Sequence, residues 1–252
     1  MRTTRLALLL TAVCLSAASV FAQAPPAQNP PPPPPPPFTG NVSFGLGVTS
    51  GNSDTTTVNA GYEFKWAPAG PNVLKSGGLF LYGKTDGVVS TEQYGLNVRD
   101  EYNLNPRTFL FGEVRYLHDK FKGIEYLVAP TGGVGFRLVA QPKTELTVSA
   151  GAGGSWEKDY DVDVKSNGAM TFDEKLTVKL SPAVTVGESF YSLWNISDFG
   201  DALYVFRANL VAALAGNLQF KTEFADTYRT VIPATVKDKN DIALIVAVVY
   251  KF

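Results

Sequence analysis

The sequence predicts an all-β fold, a closed antiparallel transmembrane β-barrel of about 12 strands that occupies residues 40–252. Three observations lead to this prediction. Apolar and polar residues alternate with period two along many successive segments, and the links between these segments differ in length in a regular way. After the first 24 residues, no run of 18 apolar residues occurs that could form a transmembrane helix.

Residues 1–24 have the features of a signal peptide. Two arginines precede an apolar stretch, and the sequence AQA at residues 22–24 has the small-x-small pattern of a cleavage site. The one cysteine of the chain, Cys14, lies in this segment. After cleavage the protein would therefore have no cysteine for a disulfide framework or for thiolate chemistry.

Residues 25–39 are predicted to form a proline-rich periplasmic linker. Eight consecutive prolines occupy Pro30–Pro37, and proline fixes φ and lacks the amide donor that a sheet requires. We expect a polyproline II rod of about 25 Å, at about 3.1 Å per residue. Its role is either that of a stiff spacer or that of a ligand for an aromatic groove in a partner.

The net charge argues against one class of partner. The chain has 22 basic and 23 acidic residues, and removal of the two arginines of the signal peptide leaves 20 bases against 23 acids, a net charge of −3. A weakly acidic protein is not expected to bind nucleic acid.

Twelve strands are predicted from the alternation. They cover residues 42–49, 54–66, 75–85, 90–103, 107–118, 124–139, 143–157, 168–180, 184–195, 201–214, 217–229 and 241–252. Soluble sandwiches also alternate, so the links decide between the two architectures. Links after even strands are short turns, and most links after odd strands are longer and charged, as in bacterial barrels whose short turns face the periplasm. Both termini are then expected in the periplasm.

The polar face of the alternation predicts the residues that line the lumen. These predicted pore-lining residues are Glu63, Lys65, Arg99, Glu101, Glu113, Arg115, Lys175, Arg207, Lys221 and Glu223. Side chains would leave a constriction of about 10 Å, and paired charges would either fill it or line a narrow wet path. Their mixed sign predicts weak ion selectivity. Asp100, Glu174 and Glu188 fall on the lipid face, which we expect to reflect positions near an interface or beside bulges.

The final segment, DIALIVAVVYKF, predicts the strand that closes the barrel. Its even-numbered residues are predicted to face lipid and its odd-numbered residues the lumen. We expect it to pair with the first strand, around VSFGLGVT. Tyr250 and Phe252 together resemble the signal by which the barrel-assembly machinery recognises its clients.

The segment FTGNVSFGLGVTSGNSDTTTVNAGYEFKW resembles the salt-induced outer membrane protein family. An aromatic-x-Gly start at Phe38 and Gly40, a glycine-rich strand and the motif GNSDT at 51–55 carry the resemblance. It continues in YGLNVRDEYNLNPRTFLFGEVRY, in GGVGFRLV and in the closing PATVKDKNDIALIVAVVYKF, and so covers nearly all of 38–252. Phe38 stands where the family commonly has tryptophan. The resemblance implies an outer-membrane β-barrel and supplies no catalytic residues.

His118, the one histidine, is the candidate for enzymatic chemistry. A rim acyl hydrolase acting on lipids would use His118 as a base oriented by Asp119, together with a serine, but no G-x-S-x-G context occurs. Asp159, Asp161 and Asp163 lack the glycine and glutamate of a calcium loop and predict a solvated acidic loop. The sequence therefore predicts no catalytic residue, cofactor or metal site.

These observations predict a structural or narrow passive-pore barrel of the bacterial outer membrane, with a link to salt or osmotic stress implied by the resemblance. The alternatives are the rim acyl hydrolase and a soluble periplasmic β-barrel that binds a ligand. The expected partners are outer-membrane lipid and lipopolysaccharide, the barrel-assembly machinery, and small solutes or ions.

Overall fold

The computed structural model describes residues 36–50, 55–85, 88–160, 162–234 and 236–252. The predicted signal peptide and most of the predicted linker lie outside these residues. The strands are β1 Phe38–Ser50, β2 Thr55–Trp66, β3 Asn72–Thr85, β4 Val88–Asn103, β5 Thr108–Asp119, β6 Ile124–Ala140, β7 Thr144–Asp159, β8 Lys165–Lys179, β9 Val184–Asn195, β10 Asp198–Ala215, β11 Leu218–Arg229 and β12 Asn240–Lys251. A single 3-10 turn, Lys120–Lys122, lies between β5 and β6 in the described chain. Within the same residues, no helix has the length and apolar character needed to cross a membrane.

The twelve strands form a closed antiparallel barrel, which confirms the predicted fold class. Each strand pairs with its sequence neighbours, and β1 pairs with β12 in the register that joins Asn41 to Lys251. Beyond that pair, the Gly40 amide donates to the Phe252 carbonyl at 3.0 Å, and the Phe252 amide donates to the Gly40 carbonyl at 2.9 Å. Closure matters because it leaves no strand edge with unpaired backbone groups.

The barrel has two ends that we name by what they hold. The terminal end holds Phe38, Phe252 and the turns 67–71, 104–107, 141–143, 180–183 and 216–217. The distal end holds the links that follow the odd-numbered strands, and the described residues among them are 120–123, 160, 162–164, 196–197, 230–234 and 236–239. The bounds of the described strands leave more than five residues only between β11 and β12, so the prediction of mostly longer links at this end is wrong. The strands extend into the polar segments that were predicted as links, because the hydrogen bonds between neighbouring strands join backbone groups and do not depend on apolar side chains.

The outer surface of the barrel is apolar. Large hydrophobic residues that point outward are exposed, among them Phe44, Leu46, Val58, Phe80, Leu96, Val98, Leu110, Val114, Val246 and Val248. In β12, the intervening Ile245, Ala247 and Val249 point inward and are buried, as the alternation predicts. Aromatic clusters lie towards both ends, with Phe38, Phe64 and Phe252 at the terminal end and Phe190, Trp194, Tyr204 and Tyr228 nearer the distal end. A water-soluble barrel would not expose so continuous an apolar belt.

The three acids that the alternation places on the lipid face do point outward. Their strand ladders are continuous, with no register shift near Asp100, Glu174 or Glu188, so the bulge explanation is wrong. Asp100 accepts a hydrogen bond from Asn72 Nδ2 at 3.1 Å at the terminal end. Glu174 and Glu188 lie near the middle of β8 and β9, with several strand residues between each of them and the 180–183 turn. The expectation of a position near an interface therefore agrees with Asp100 and is wrong for Glu174 and Glu188.

Candidate functional site: the barrel lumen

Arg99 is the centre of a charge network on one wall of the lumen. Its guanidinium lies 3.3 Å from Glu101, 3.2 Å from Glu113 and 3.6 Å from Asp173, and donates to Ser149 Oγ at 2.9 Å. Arg99 is on β4, whereas Asp173 is on β8. Because these strands are not neighbours, the contact spans part of the lumen rather than a single pair of strands.

Three further bases neutralise the same carboxylates. Lys75 and Arg137 lie 2.7 Å and 3.4 Å from Glu101, and Arg115 lies 3.0 Å from Glu113 and 2.6 Å from the β8 carboxylate. The network therefore includes Lys75, Arg137 and Asp173, which the sequence analysis did not name. Asp173 shares the inward parity of Lys175 on β8, so a complete count along that strand would have found it. No lumen residue was named on β3 or β6, the strands that carry Lys75 and Arg137.

Aromatic rings support this wall from within. The Arg99 guanidinium lies 3.7 Å from the Phe111 ring centre, and the Arg115 guanidinium lies 3.8 Å from that of Tyr191. Arg137 lies 4.7 Å from the Phe109 ring centre. Cation–π contacts of this kind hold the guanidinium planes in place while their edges remain available for hydrogen bonds.

The opposite wall carries a second group of charges. Glu223 is paired with Arg207 at 3.3 Å and with Lys221 at 2.6 Å. Glu63 accepts a hydrogen bond from Asn41 Nδ2 at 3.2 Å and lies within electrostatic range of these two bases. All the residues that the sequence analysis placed in the lumen therefore face the barrel interior, either through these contacts or through the strand register.

The terminal half of the lumen is open to water. Lys65 lies opposite Lys75 in the β2–β3 ladder and so points inward, yet it is exposed. Lys175 on β8 and Glu63 on β2 also point inward, interact electrostatically across the lumen, and are exposed. The barrel interior therefore leaves room for water beside these side chains.

The distal half of the lumen is packed instead. An apolar cluster fills one side of it, consisting of Ile124, Leu127, Ala129, Ala169, Leu193 and Leu203. The 3-10 turn lies across the opening beside this cluster and brings Lys122 into the interior, where the residue is fully buried.

Lys122 joins the β5–β6 link to the opposite side of the barrel. Its ammonium donates to the backbone carbonyls of Thr227 and Lys239 at 2.9 Å and 2.7 Å, and lies 3.4 Å from Asp241. Its backbone amide donates to Asp119 Oδ1 at 3.1 Å. The buried charge is therefore satisfied by one carboxylate and two carbonyls, which burial of an ammonium requires.

Two more contacts hold the same turn. Arg229 donates to the Lys122 carbonyl at 3.4 Å and to Asp159 at 3.0 Å, and it also pairs with Glu157. Asp159 is buried, so its prediction as part of a solvated loop is wrong. Gly123 has φ +73°, and a Cβ there would lie 3.0 Å from a side-chain carbon of Pro233 in the long distal link. We use the name distal closure for the turn 120–123 together with Pro233 and Lys239 of the link 230–239, which contact it.

Two small spaces remain in the distal half of the barrel, and both are partly open to solvent. One is lined in part by Leu193, Asn195 and Arg229, and Arg229 donates to the Lys122 carbonyl. The other is lined in part by Leu81 and by Thr227, whose carbonyl accepts from the Lys122 ammonium. Both spaces therefore lie beside contacts that hold the distal closure.

His118 does not form the arrangement that a rim hydrolase requires. It faces outward, stacks on Tyr94 with ring centres 4.9 Å apart, and has Nδ1 2.8 Å from the Glu125 carbonyl. Asp119 faces inward, where it contacts Gln93 at 2.7 Å. The predicted orientation of His118 by Asp119 is therefore wrong, because consecutive strand residues point to opposite faces. The described residues contain no cluster of three or more His, Cys, Asp or Glu side chains suited to a metal ion.

The predicted assembly residues both lie on the outer surface. Tyr250 and Phe252 are about half exposed, and the Phe252 ring stacks on Phe38 with centres 5.6 Å apart. The Phe252 backbone thus helps to close the barrel between β1 and β12, and its ring belongs to the aromatic cluster at the terminal end.

A family model described as protein of unknown function, DUF481, matches residues 42–252. The chain belongs to the DUF481 family. The match spans the barrel from β1 to β12 and assigns no activity to it. A search of the curated proteins finds no match.

Two solved structures with the same fold are a porin and an outer membrane channel. The NanC porin is 9% identical, with a TM-score of 0.58 over 84% of this chain and 100% of that chain. The COG4313 outer membrane channel from Pseudomonas putida F1 is 13% identical, with a TM-score of 0.51 over 86% of this chain and 96% of that chain. At such low identity the likeness establishes the DUF481 chain as a porin-like barrel in fold.

Proposed function

We propose that this DUF481 protein is a narrow passive pore of the bacterial outer membrane. The observation that carries the proposal is the exposure of Lys65, Lys175 and Glu63 although they point into the barrel. A barrel with a purely structural role would gain more from a fully packed interior, since charged side chains in a wet lumen contribute little to stability. The lumen charges named from the sequence are the pore-lining residues of this proposal.

The outer surface supports the membrane location. Its apolar belt and its aromatic clusters near both ends match a lipid-facing surface with two interfaces. The terminal end faces the periplasm in the proposal, and the lipopolysaccharide leaflet surrounds the distal end. Membrane fractionation and heat-modifiable gel mobility test the location. Recovery of the folded protein in the soluble periplasmic fraction would favour the soluble ligand-binding barrel instead.

Passage of a solute requires a change at the distal closure. Lys122 and Arg229 hold one short turn across this end, and their contacts join this turn to β11, to Lys239 in the link 230–239 and to Asp241 in β12. The strands themselves need not move in this proposal, because a local displacement of the turn opens the distal end.

Reconstitution in planar lipid bilayers is the decisive experiment. We expect small, brief current steps from the purified protein, and larger and longer steps once the closure is weakened by substitution of Lys122. The control is protein in the same detergent after heat unfolding. If neither protein conducts and both are inserted and folded, the structural role replaces the pore.

Recognition of the C-terminal strand by the barrel-assembly machinery is part of the proposal. Removal of the Phe252 ring abolishes its stacking on Phe38, and its backbone pairing with Gly40 can remain. We expect Phe252→Ala to lower the amount of inserted protein while export continues, as measured by fractionation. Phe220→Ala, which removes an outward ring within β11, is the control and should insert normally.

A role in salt or osmotic stress is the last part of the proposal, and the resemblance noted above supports it. A deletion strain should grow normally in dilute medium and more slowly after a rise in salt. Complementation with the Lys122 variant tests whether the pore itself is responsible, because an open pore should change the response. Equal growth of the deletion and parent strains in all salts would remove this part.

A further inference from the structure

We infer that the wet half of the lumen selects for anions, and that its solutes are small carboxylates and inorganic anions. This inference rests on the proposed pore function and adds the charge class of the solute. It differs from the weak selectivity expected from the mixed sign of the lumen charges. The difference arises because the tertiary structure buries one sign more than the other.

The paired carboxylates are covered and most of their partners are not. Acidic side chains are 1–17% exposed, the set being Glu101, Glu113, Asp173 and Glu223. Basic side chains are 19–40% exposed, the set being Lys75, Arg115, Arg137, Arg207 and Lys221. Arg99, at 10%, is the one base of the two networks that is covered to a similar degree as the acids. A solute in the lumen therefore meets mainly ammonium and guanidinium groups.

The remaining inward charges have the same bias. In the terminal half, the exposed inward-facing bases are Lys65, Lys175, Lys179 and Lys251, and the exposed inward-facing acids are Glu63 and Glu145. Glu63 is further neutralised by Lys175, Lys221 and Arg207 around it.

The location of these bases strengthens their effect. They line a confined aqueous space with a low-dielectric wall, where field lines are focused along the path and the local concentration of counter-ions rises. Rings of basic side chains give anion preference in pores for this reason. The carboxylates are covered by these bases and lie farther from a solute in the lumen. They therefore do not cancel the field of the bases at close range.

The test is the reversal potential across a bilayer with a gradient of KCl, since the two ions have similar mobilities in water. We expect a chloride-to-potassium permeability ratio above one, and a fall towards one in the double variant Lys65→Gln/Lys175→Gln. The control is Lys158→Gln, which removes an outward base that pairs with Glu125 at 2.5 Å. A ratio at or below one for the parent overturns the inference and leaves the pore in place.

A binding measurement separates this inference from the pore proposal. Calorimetric titration of the folded protein in detergent with citrate should give a binding signal that weakens in the double variant, whereas spermidine should give none. If no current is found but citrate binds in this way, the pore proposal fails and the anion preference stands. If spermidine binds better, or if neither current nor citrate binding is found, the anion preference is wrong.

Discussion

In the terminal half of the lumen, Lys65 and Lys175 point inward and are exposed to water, whereas in the distal half Lys122 is fully buried. The buried ammonium has two backbone carbonyls and Asp241 as partners. The same residue type thus meets water in one half and makes a structural contact in the other. The difference shows that the environment provided by the turn and the long link decides the role of a lumen lysine.

The two halves also differ in how they are built. The terminal half is lined by strand side chains in regular alternation, so its charges form layers along the wall. The distal half is closed by a turn and a link that leave the strand register, with apolar side chains beside them. Substitutions can therefore alter one half while the other remains as a reference.

The largest expected effect follows from Arg99→Met, which tests whether the terminal wall depends on its central base. The change leaves Glu101, Glu113 and Asp173 with fewer partners, two of them in buried positions. Removal of one partner from a buried ion network costs about 3–5 kcal/mol. We expect the free energy of unfolding to fall by about this amount, as measured by urea unfolding in lipid vesicles with tryptophan fluorescence.

The control for Arg99 is Arg107→Met in the exposed 104–107 turn, which should unfold at the urea concentration of the parent. The free energy of unfolding of Arg99→Lys should lie between the values for these two variants, since lysine keeps the positive charge and lacks the planar guanidinium group. Unchanged stability of Arg99→Met would show that the wall does not need the network.

The second prediction concerns Lys122→Met, which removes the ammonium from the distal closure and keeps an unbranched chain of similar length. Two backbone carbonyls and Asp241 then lose a charged partner. We expect single-channel conductance to rise severalfold, because the turn is no longer held across the distal end. Lys120→Met is the matched control, since Lys120 pairs with Glu92 at 3.5 Å on the outer face. Equal conductance of Lys122→Met and Lys120→Met would show that the Lys122 contacts do not restrict the pore.

The smallest expected effect compares two glycines at opposite ends. Gly123 has φ +73° and would bring a Cβ against Pro233, whereas Gly216 has φ +55° and no atom within 4 Å of its Cβ position. Alanine at either site adds backbone strain of about 1 kcal/mol. Only Gly123→Ala should also raise conductance, because only it disturbs the closure. A conductance rise in Gly216→Ala as well would mean that turn strain at either end affects the pore.

Much of the barrel could be predicted from sequence because strand side chains alternate with period two. The inward and outward faces of β12 followed from that period, and its pairing with β1 followed from the requirement that a sheet in lipid has no free edge. The link lengths were less informative, since β8 and β10 begin several residues earlier than predicted. Polar residues do not end a strand whose backbone partners continue.

The lumen site was predictable only in part. The inward positions of Glu63, Arg99 and Glu223 follow from parity, but their partners do not, because Asp173 reaches Arg99 from four strands away. The role of Lys122 had no local signal at all. It lies in a polar link, and its acceptors are carbonyls more than a hundred residues distant in sequence.

The sequence by itself determined the apolar outside and the charged inside of the barrel, because alternation is a local property that each strand carries. Only the tertiary structure decided which charges meet water. Ion pairs across the lumen cover the carboxylates, and a turn held by β11 and β12 closes the distal end. Both depend on distances between strands far apart in sequence, and the alternation of a single strand contains no information on such distances.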